Sequence, residues 1–155
     1  MIWESLDVNL IAPGVEAASK DDVFRQIGGM LVERGYCKPS YVDALIEREK
    51  AYPTGINMGS FGIAMPHTER THVNKAAVAI ARLKKPVLFY EMGSEDEEVQ
   101  ASLVFMLAVE NPETHLPFLQ RLMAVLQDQA VLDKIMRTDS REEIIQVIKE
   151  KESGM

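Results

Sequence analysis

Hydrophobic positions along the chain follow two different periods. From Ser19, "SKDDVFRQIGGMLVERG" sets Val23, Ile27, Met30 and Leu31 at i, i+4, i+7 and i+8, one face of a helix. Ser19 is its expected N-cap, with Asp22 three residues on as a capping-box variant, and Gly35 is placed to stop it. The Gly28–Gly29 pair weakens such a helix by about 1 kcal/mol per glycine, so close packing is expected there. A second helix opens at Ser40, with Asp43 three on. Val42, Leu45, Ile46 and Tyr52 form its inner edge, and Pro53 ends it.

The middle of the chain changes period. "FGIAM" (61–65), "AAVAIARL" (76–83), "PVLFY" (86–90) and "ASLVFMLAV" (101–109) are short, apolar and bounded by turns or charges, as strands of a mostly buried sheet are. The acidic "EMGSEDEEVQ" (91–100) reads as a solvated loop. Helical spacing returns in "THLPFLQRLMAVLQ" (114–127), "QAVLDKIMR" (129–137) and "SREEIIQVIKEK" (140–151), the last capped by Ser140. Helices, a strand cluster and helices again predict a sheet covered by helices, an α/β or α+β sandwich. With no repeat and no long linker, residues 1–155 read as one domain with its core over about 10–150.

Composition narrows the function classes. A chain of 155 residues buries roughly 70% of its unfolded surface in one core, and 46% hydrophobic against 26% charged content is globular. A net charge of −7 argues against a nucleic-acid binder, which normally carries a basic face. The N-terminus "MIWESLDVNLIAPG" has neither a cationic start nor a sustained apolar run, so no signal peptide is expected. No apolar run approaches the about 20 residues that cross a bilayer. The single cysteine, Cys37, leaves no internal disulfide and suits a reducing compartment. A soluble cytoplasmic domain is the expectation.

Two of the three histidines lie in "FGIAMPHTERTH" (61–72). Pro66 lacks a backbone donor and biases Met65 towards an extended conformation. The strand should therefore end at Met-Pro and leave His67 at the sheet rim, where open α/β sheets place their ligand sites. Neutral imidazole is a good nucleophile near pH 7; a surface or capping histidine is the plain alternative. His115 follows the last strand and "ENPET". Its helix has two competing N-caps, Asn111 with Pro112 at N1, or Thr114 with Pro117 at N3. Thr114 is preferred because it keeps Pro117 in the first turn, where no hydrogen bond is lost. His115 then falls in the first turn, among free N–H groups that favour an anion. It shares a stripe with Leu119, Leu122 and Leu126 that faces the protein body. A strand-end and a helix-start histidine suit a phosphoryl site; hydrogen-bonded structural histidines are the alternative.

The remaining candidates are weaker. His72 reads as structural or exposed. Arg48, in "ALIERE", is either a solvated ion-pair partner of its flanking glutamates or a planar fork for a phosphoryl group. Cys37, with only Lys38 near it, reads as inert. "GINMGSFG" lacks the lysine and hydroxyl of a P-loop, and "HTERTH" is no zinc motif. If the chain carries phosphate, a protein must supply it.

Taken together, "GIAMPHT", the preceding "RE…PTGI" and the following "ENPETHLPFLQRLMAVL" resemble the enzyme IIA domains of the mannitol–fructose class of the bacterial phosphoenolpyruvate-dependent sugar phosphotransferase system. The likeness covers roughly residues 10–150, and "YVDALIEREKAYPTGI" with "ENPETHLPFL" is most similar to the galactitol branch. It implies a mixed β-sheet flanked by helices on both faces. It also implies a phosphocarrier in which His67 accepts phosphate from the phosphohistidine of HPr and passes it to a cysteine of a separate IIB component. IIB in turn phosphorylates the sugar that the membrane component IIC transports. His115 and Arg48 fall on the family's second histidine and its arginine, as phosphoryl-oxygen donor and charge stabiliser. Thr54 and Thr68 are carried as candidate substrate-binding positions. No metal, cofactor, nucleic acid or membrane insertion is implied.

Attack through Nε2 of His67 is expected, with Nδ1 donating to a carbonyl or similar acceptor. Phe61, Met58 and Met65 are candidates for an apolar docking rim around it. A nitrogen-type regulatory IIA, phosphorylated on the same histidine but acting by protein binding, is the alternative reading. A metal-dependent hydrolase using His67, His72 and His115 is a third.

Overall fold

A computed structural model describes residues 2–94 and 96–155. Its centre is a mixed five-stranded sheet formed by β1 (Ile11–Val15), β2 (Gly55–Asn57), β3 (Gly62–Ala64), β4 (Ala77–Tyr90) and β5 (Glu98–Ala108), in the order β1-β4-β5-β3-β2. β1 runs parallel to β4 and β3 parallel to β5, while β4–β5 and β2–β3 are antiparallel.

Alternation along the long strands feeds two cores. Ala79, Ala81, Val104 and Met106 face one side, where α1 (Lys20–Val23), a π turn (Phe24–Gly28), α2 (Gly29–Glu33) and α3 (Tyr41–Ala51) pack. Ile80, Leu103, Phe105 and Leu107 face the other, against α4 (Pro112–Leu126), α5 (Gln129–Arg137) and α6 (Arg141–Ser153). Both faces of the sheet are thus covered, which is why its strands read as nearly continuous apolar runs.

Several expectations change. β1 and β2 are strands that the hydrophobic pattern does not show: "IAPGV" carries Pro13 and Gly14 and resembles a turn, yet it is an edge strand, where proline costs no interior ladder bond. "AAVAIARL" and "PVLFY" are one strand, because both pair with β5. Exposed Lys84, Lys85 and Pro86 sit in a register shift between Arg82 and Val87. The acidic stretch forms a turn, but β5 begins inside it at Glu98; Glu95 lies outside the described residues. Tyr52 is 62% exposed rather than inward-facing.

Caps divide similarly. Ser19 Oγ accepts from the Asp22 N–H, and Ser140 Oγ from that of Glu143, as expected. Ser40 already has helical backbone angles and makes no capping bond; its hydroxyl instead shares a 2.8 Å hydrogen bond with His72 Nδ1. α4 starts at Asn111, not Thr114: the Asn111 side chain accepts from Glu113 N–H at 2.9 Å. Pro117 consequently lies inside the helix, on an exposed stretch, and removes one helical bond there.

Of the paired glycines only Gly28 is tightly packed, with a Cβ at that position meeting Val42 at 3.1 Å; nothing lies near Gly29. Gly35 ends its helix with φ of 84°, the left-handed region that glycine enters without strain.

Candidate phosphoryl-transfer site

Topology brings the candidate residues to one edge of the sheet. Because β3 and β5 are parallel neighbours, both chains leave the sheet on the same side. His67 follows β3 directly, and its backbone bridges Leu107 at the end of β5. His115 follows β5 on α4. β2 is antiparallel to β3, so its start, fed by α3, returns the Arg48–Glu49 end of that helix to the same edge.

The His67 loop is pinned from several directions. Leu107 N–H donates to Pro66 O at 2.9 Å, and the buried Tyr41 hydroxyl donates to Leu107 O at 2.8 Å. Met65 belongs to the core at 2% exposure and cannot line a docking rim, because its position continues the inward pattern of β3. Phe61 and Met58 are partly buried against the same core.

The His67 ring has a defined tautomer. Nδ1 lies 3.0 Å from Met65 O, and since a carbonyl only accepts, Nδ1 carries the proton and Nε2 the lone pair. His115 stands beside it, ring centroids 5.1 Å apart and planes tilted by 52°. His115 is the fourth residue of its helix and its N–H donates to Asn111 O, so it brings the imidazole rather than a free backbone donor. Its Nε2 is buried without a hydrogen-bond partner. A buried polar nitrogen left unpaired costs about 1–3 kcal/mol, which an incoming phosphoryl oxygen could offset.

Both rings are held neutral. Burial lowers the His67 pKa and outweighs the opposing Met65 bond, with Arg48 lowering it further. Burial, His67 and Arg48 together lower that of His115. The Arg48 guanidinium is not the partner of its flanking glutamates: Glu47 pairs with Lys50 at 3.0 Å. Glu49 turns inward, and Arg48 lies over the Tyr52 ring at 4.8 Å. Among the described residues no carboxylate pairs with Arg48, and its uncompensated charge contributes to lowering both imidazole pKa values.

Glu49, not singled out from the sequence, is the buried acid of this edge. Its carboxyl accepts from Thr54 N at 2.7 Å and from Thr54 Oγ1 at 2.8 Å. Burial pushes its pKa up to about 7, against the lowering effect of those bonds. Its one sign in the sequence is its place beside Arg48. Thr54 is therefore buried with its hydroxyl committed to Glu49, and Thr68 is buried next to His67 in the chain.

Elsewhere, a cavity of about 300 Å³ is lined by Ser5, Asn111, Thr114, His115 and Phe118. Of the candidate site residues only His115 is on its wall; His67 and Arg48 are not. His72 sits in a short 3-10 turn on Ser40, apart from the pair. Cys37 is 2% exposed, and burial pushes its thiol up to about 12, so it is inert. Among the described residues no group of three or more His, Cys, Asp or Glu could hold a metal, and no helix is long and apolar enough to cross a membrane.

Residues 4–151 match the family described as phosphoenolpyruvate-dependent sugar phosphotransferase system, EIIA 2. The chain belongs to this family. As an EIIA component it is a phosphotransferase of the sugar phosphotransferase system. This EIIA is 31% identical over 126 residues to the galactitol-specific EIIA component of Escherichia coli K12, covering 81% of this chain and 83% of that one. It superposes with a TM-score of 0.78, at 30% identity over 94% of its length and 97% of the other, on enzyme IIAMTL in complex with phosphorylated enzyme IIBMTL from Escherichia coli. The nitrogen regulatory protein IIA-Ntr of Neisseria meningitidis matches with a TM-score of 0.77 and 29% identity, over 95% of this chain and 98% of that one. The expected mixed sheet with helices on both faces is the architecture of this family.

Proposed function

We propose that this EIIA accepts a phosphoryl group from phospho-HPr on His67 Nε2 and passes it to a cysteine of a separate IIB component. The transfer serves uptake and phosphorylation of a sugar or sugar alcohol, with a galactitol-like compound favoured by the relative at 31% identity. The observation that carries the reading is the His67 tautomer. With Nδ1 bonded to Met65 O, Nε2 keeps its lone pair for in-line attack on phosphorus. His115 and Arg48 stand as positioned donors for the charge on the phosphoryl oxygens, which a loose transition state needs more than acid–base chemistry.

The surface around the pair suits transient docking. Tyr52 and Leu116 are 62% and 60% exposed, one stacked on Arg48 and the other following His115. They supply the apolar rim that the core position of Met65 cannot. HPr and the IIB component would use it in turn, through small interfaces.

The test is incubation with phosphoenolpyruvate, enzyme I and HPr, with mass measurement of the protein. One acid-labile phosphoryl group on the wild type and none on His67→Ala is the expected result; full labelling of His67→Ala would remove His67 from the reaction. A regulatory role has support in the IIA-Ntr neighbour. Transfer from phospho-His67 to a sugar IIB component favours transport, and its absence favours regulation.

A further inference from the structure

A chain of hydrogen bonds leads from the interior to the nucleophile. The two oxygens of the Glu49 carboxyl take the N–H and hydroxyl of Thr54, at 2.7 and 2.8 Å. Thr54 O accepts from Met65 N–H at 3.2 Å, which extends the β2–β3 ladder one step beyond the Gly55–Ala64 pair. Met65 O then accepts from His67 Nδ1 at 3.0 Å. Glu49 and Thr54 are 5% and 4% exposed, so water does not compete for either group. The Leu107 bond holds Pro66 O on the far side of the Met65–Pro66 peptide, and on the β2 side the Thr54 carbonyl holds the Met65 N–H, one step beyond a three-residue strand.

The geometry points to Glu49 as a positioning residue: by clamping Thr54 it orients the Met65 peptide, whose carbonyl selects the Nδ1–H tautomer of His67 and leaves Nε2 to attack. The inference rests on His67 being the phosphoryl acceptor. In that step the Nε2 lone pair forms the new N–P bond as the N–P bond to the donor's phosphohistidine breaks. The released electron pair returns to the donor imidazole. The Nδ1 proton stays on His67, shared with Met65 O, so the phosphorylated ring is cationic and remains a good leaving group for the next transfer. A ring in the other tautomer presents an N–H at Nε2 and cannot attack.

A positioning role and a charge role make opposite demands on Glu49→Gln. The glutamine carboxamide oxygen can accept from Thr54 N–H while its NH₂ donates to Thr54 Oγ1, so position survives without the acid. Glu49→Met fills similar space and accepts neither bond. The full-length protein would be measured by imidazole 15N spectra for the His67 tautomer and by the rate of phosphoryl uptake from phospho-HPr. Expected are a wild-type tautomer and rate for Glu49→Gln. Expected for Glu49→Met are a mixture of tautomers and uptake slowed by about tenfold to a hundredfold, in the range that misplacement of a reacting group causes. A wild-type tautomer and rate in Glu49→Met overturns the inference, and so does a Glu49→Gln as slow as Glu49→Met. If Glu49→Met does not fold, Thr54→Val decides, since it deletes one bond of the clamp in a residue of the same shape. Slower uptake with tautomer mixing is expected, and no change in either overturns the inference. Absence of label at His67 in the wild type would instead defeat the phosphoacceptor reading, while the tautomer spectra still report on the clamp.

Discussion

Arg48 lies with its guanidinium 4.8 Å from the centre of the Tyr52 ring, while the glutamates on either side of it bond elsewhere, Glu47 to Lys50 and Glu49 to Thr54. A cation flanked by two acids in sequence is therefore neutralised by neither of them in space. The aromatic face holds its planar group without consuming its N–H donors.

Replacement of Arg48 should slow phosphoryl transfer without abolishing labelling of His67. For Arg48→Ala a loss of about a hundredfold in rate is expected, the scale of removing one transition-state donor. Arg48→Lys should recover little of it, because an ammonium lacks the planar fork and the stacking face. Single-turnover transfer from phospho-HPr, monitored by mass, reads both variants.

Acid should inhibit the reaction later than it would for an ordinary histidine. Burial chiefly, and Arg48 additionally, lower the His67 pKa, so the attacking lone pair persists below pH 6.5 and uptake falls only as pH drops through the lowered value. Arg48→Ala removes one lowering influence and should move that acidic limb to higher pH. An unmoved limb in the variant would sever the electrostatic link between the two residues.

Protein stability should carry the signature of Glu49. Its folded pKa is raised to about 7 from an ordinary value of 4.5, so the folded state holds its proton more tightly than the unfolded chain. The Glu49 contribution to stability is then full below about pH 4.5 and declines as pH rises towards 7, by about 3 kcal/mol over that window. Denaturant titrations of Glu49→Gln should lack this decline.

On α6, Glu152 is fully buried and accepts from Ile2 N at 3.0 Å, Trp3 N at 2.8 Å and Arg121 Nε at 2.9 Å. Burial alone would raise its pKa, but Arg121 and the two N–H groups more than offset it and the net shift is downward. Its contribution is present above the ordinary carboxyl range and is lost as pH falls through the lowered value. Glu152→Ala should destabilise by about 2–3 kcal/mol, less than for a fully buried pair because Arg121 is 37% exposed. Phosphorylation of the folded fraction should be unchanged, and chemical denaturation beside the labelling assay checks both.

Cys37 should resist alkylation in the native protein and react once unfolded, since its thiol is buried and held near pKa 12. Iodoacetamide labelling with and without denaturant measures this.

Much of the site is legible in the chain's local pattern. Pro66 announces the end of a strand at His67, and His115 shares its helical stripe with Leu119, Leu122 and Leu126, of which Leu122 and Leu126 are fully buried. The residue types of the proposed site and the helices that carry them are local properties, written in periodicity and in proline and serine placement. The Thr114 cap fails because it rests on the cost of Pro117 inside a helix. Tertiary context tolerates that lost bond on an exposed stretch and leaves Asn111 to cap.

From its own pattern the chain determined helices around an apolar sheet and a histidine at a strand end. Only the tertiary structure decided that β3 and β5 run parallel side by side, and hence that His67 and His115 meet at 5.1 Å across 48 positions of sequence. Nor could the chain alone tell which of Glu47 and Glu49 would be buried, or that Arg48 would pair with neither. Strand pairing and the routing of buried bonds depend on contacts between distant segments, and no local spacing encodes them.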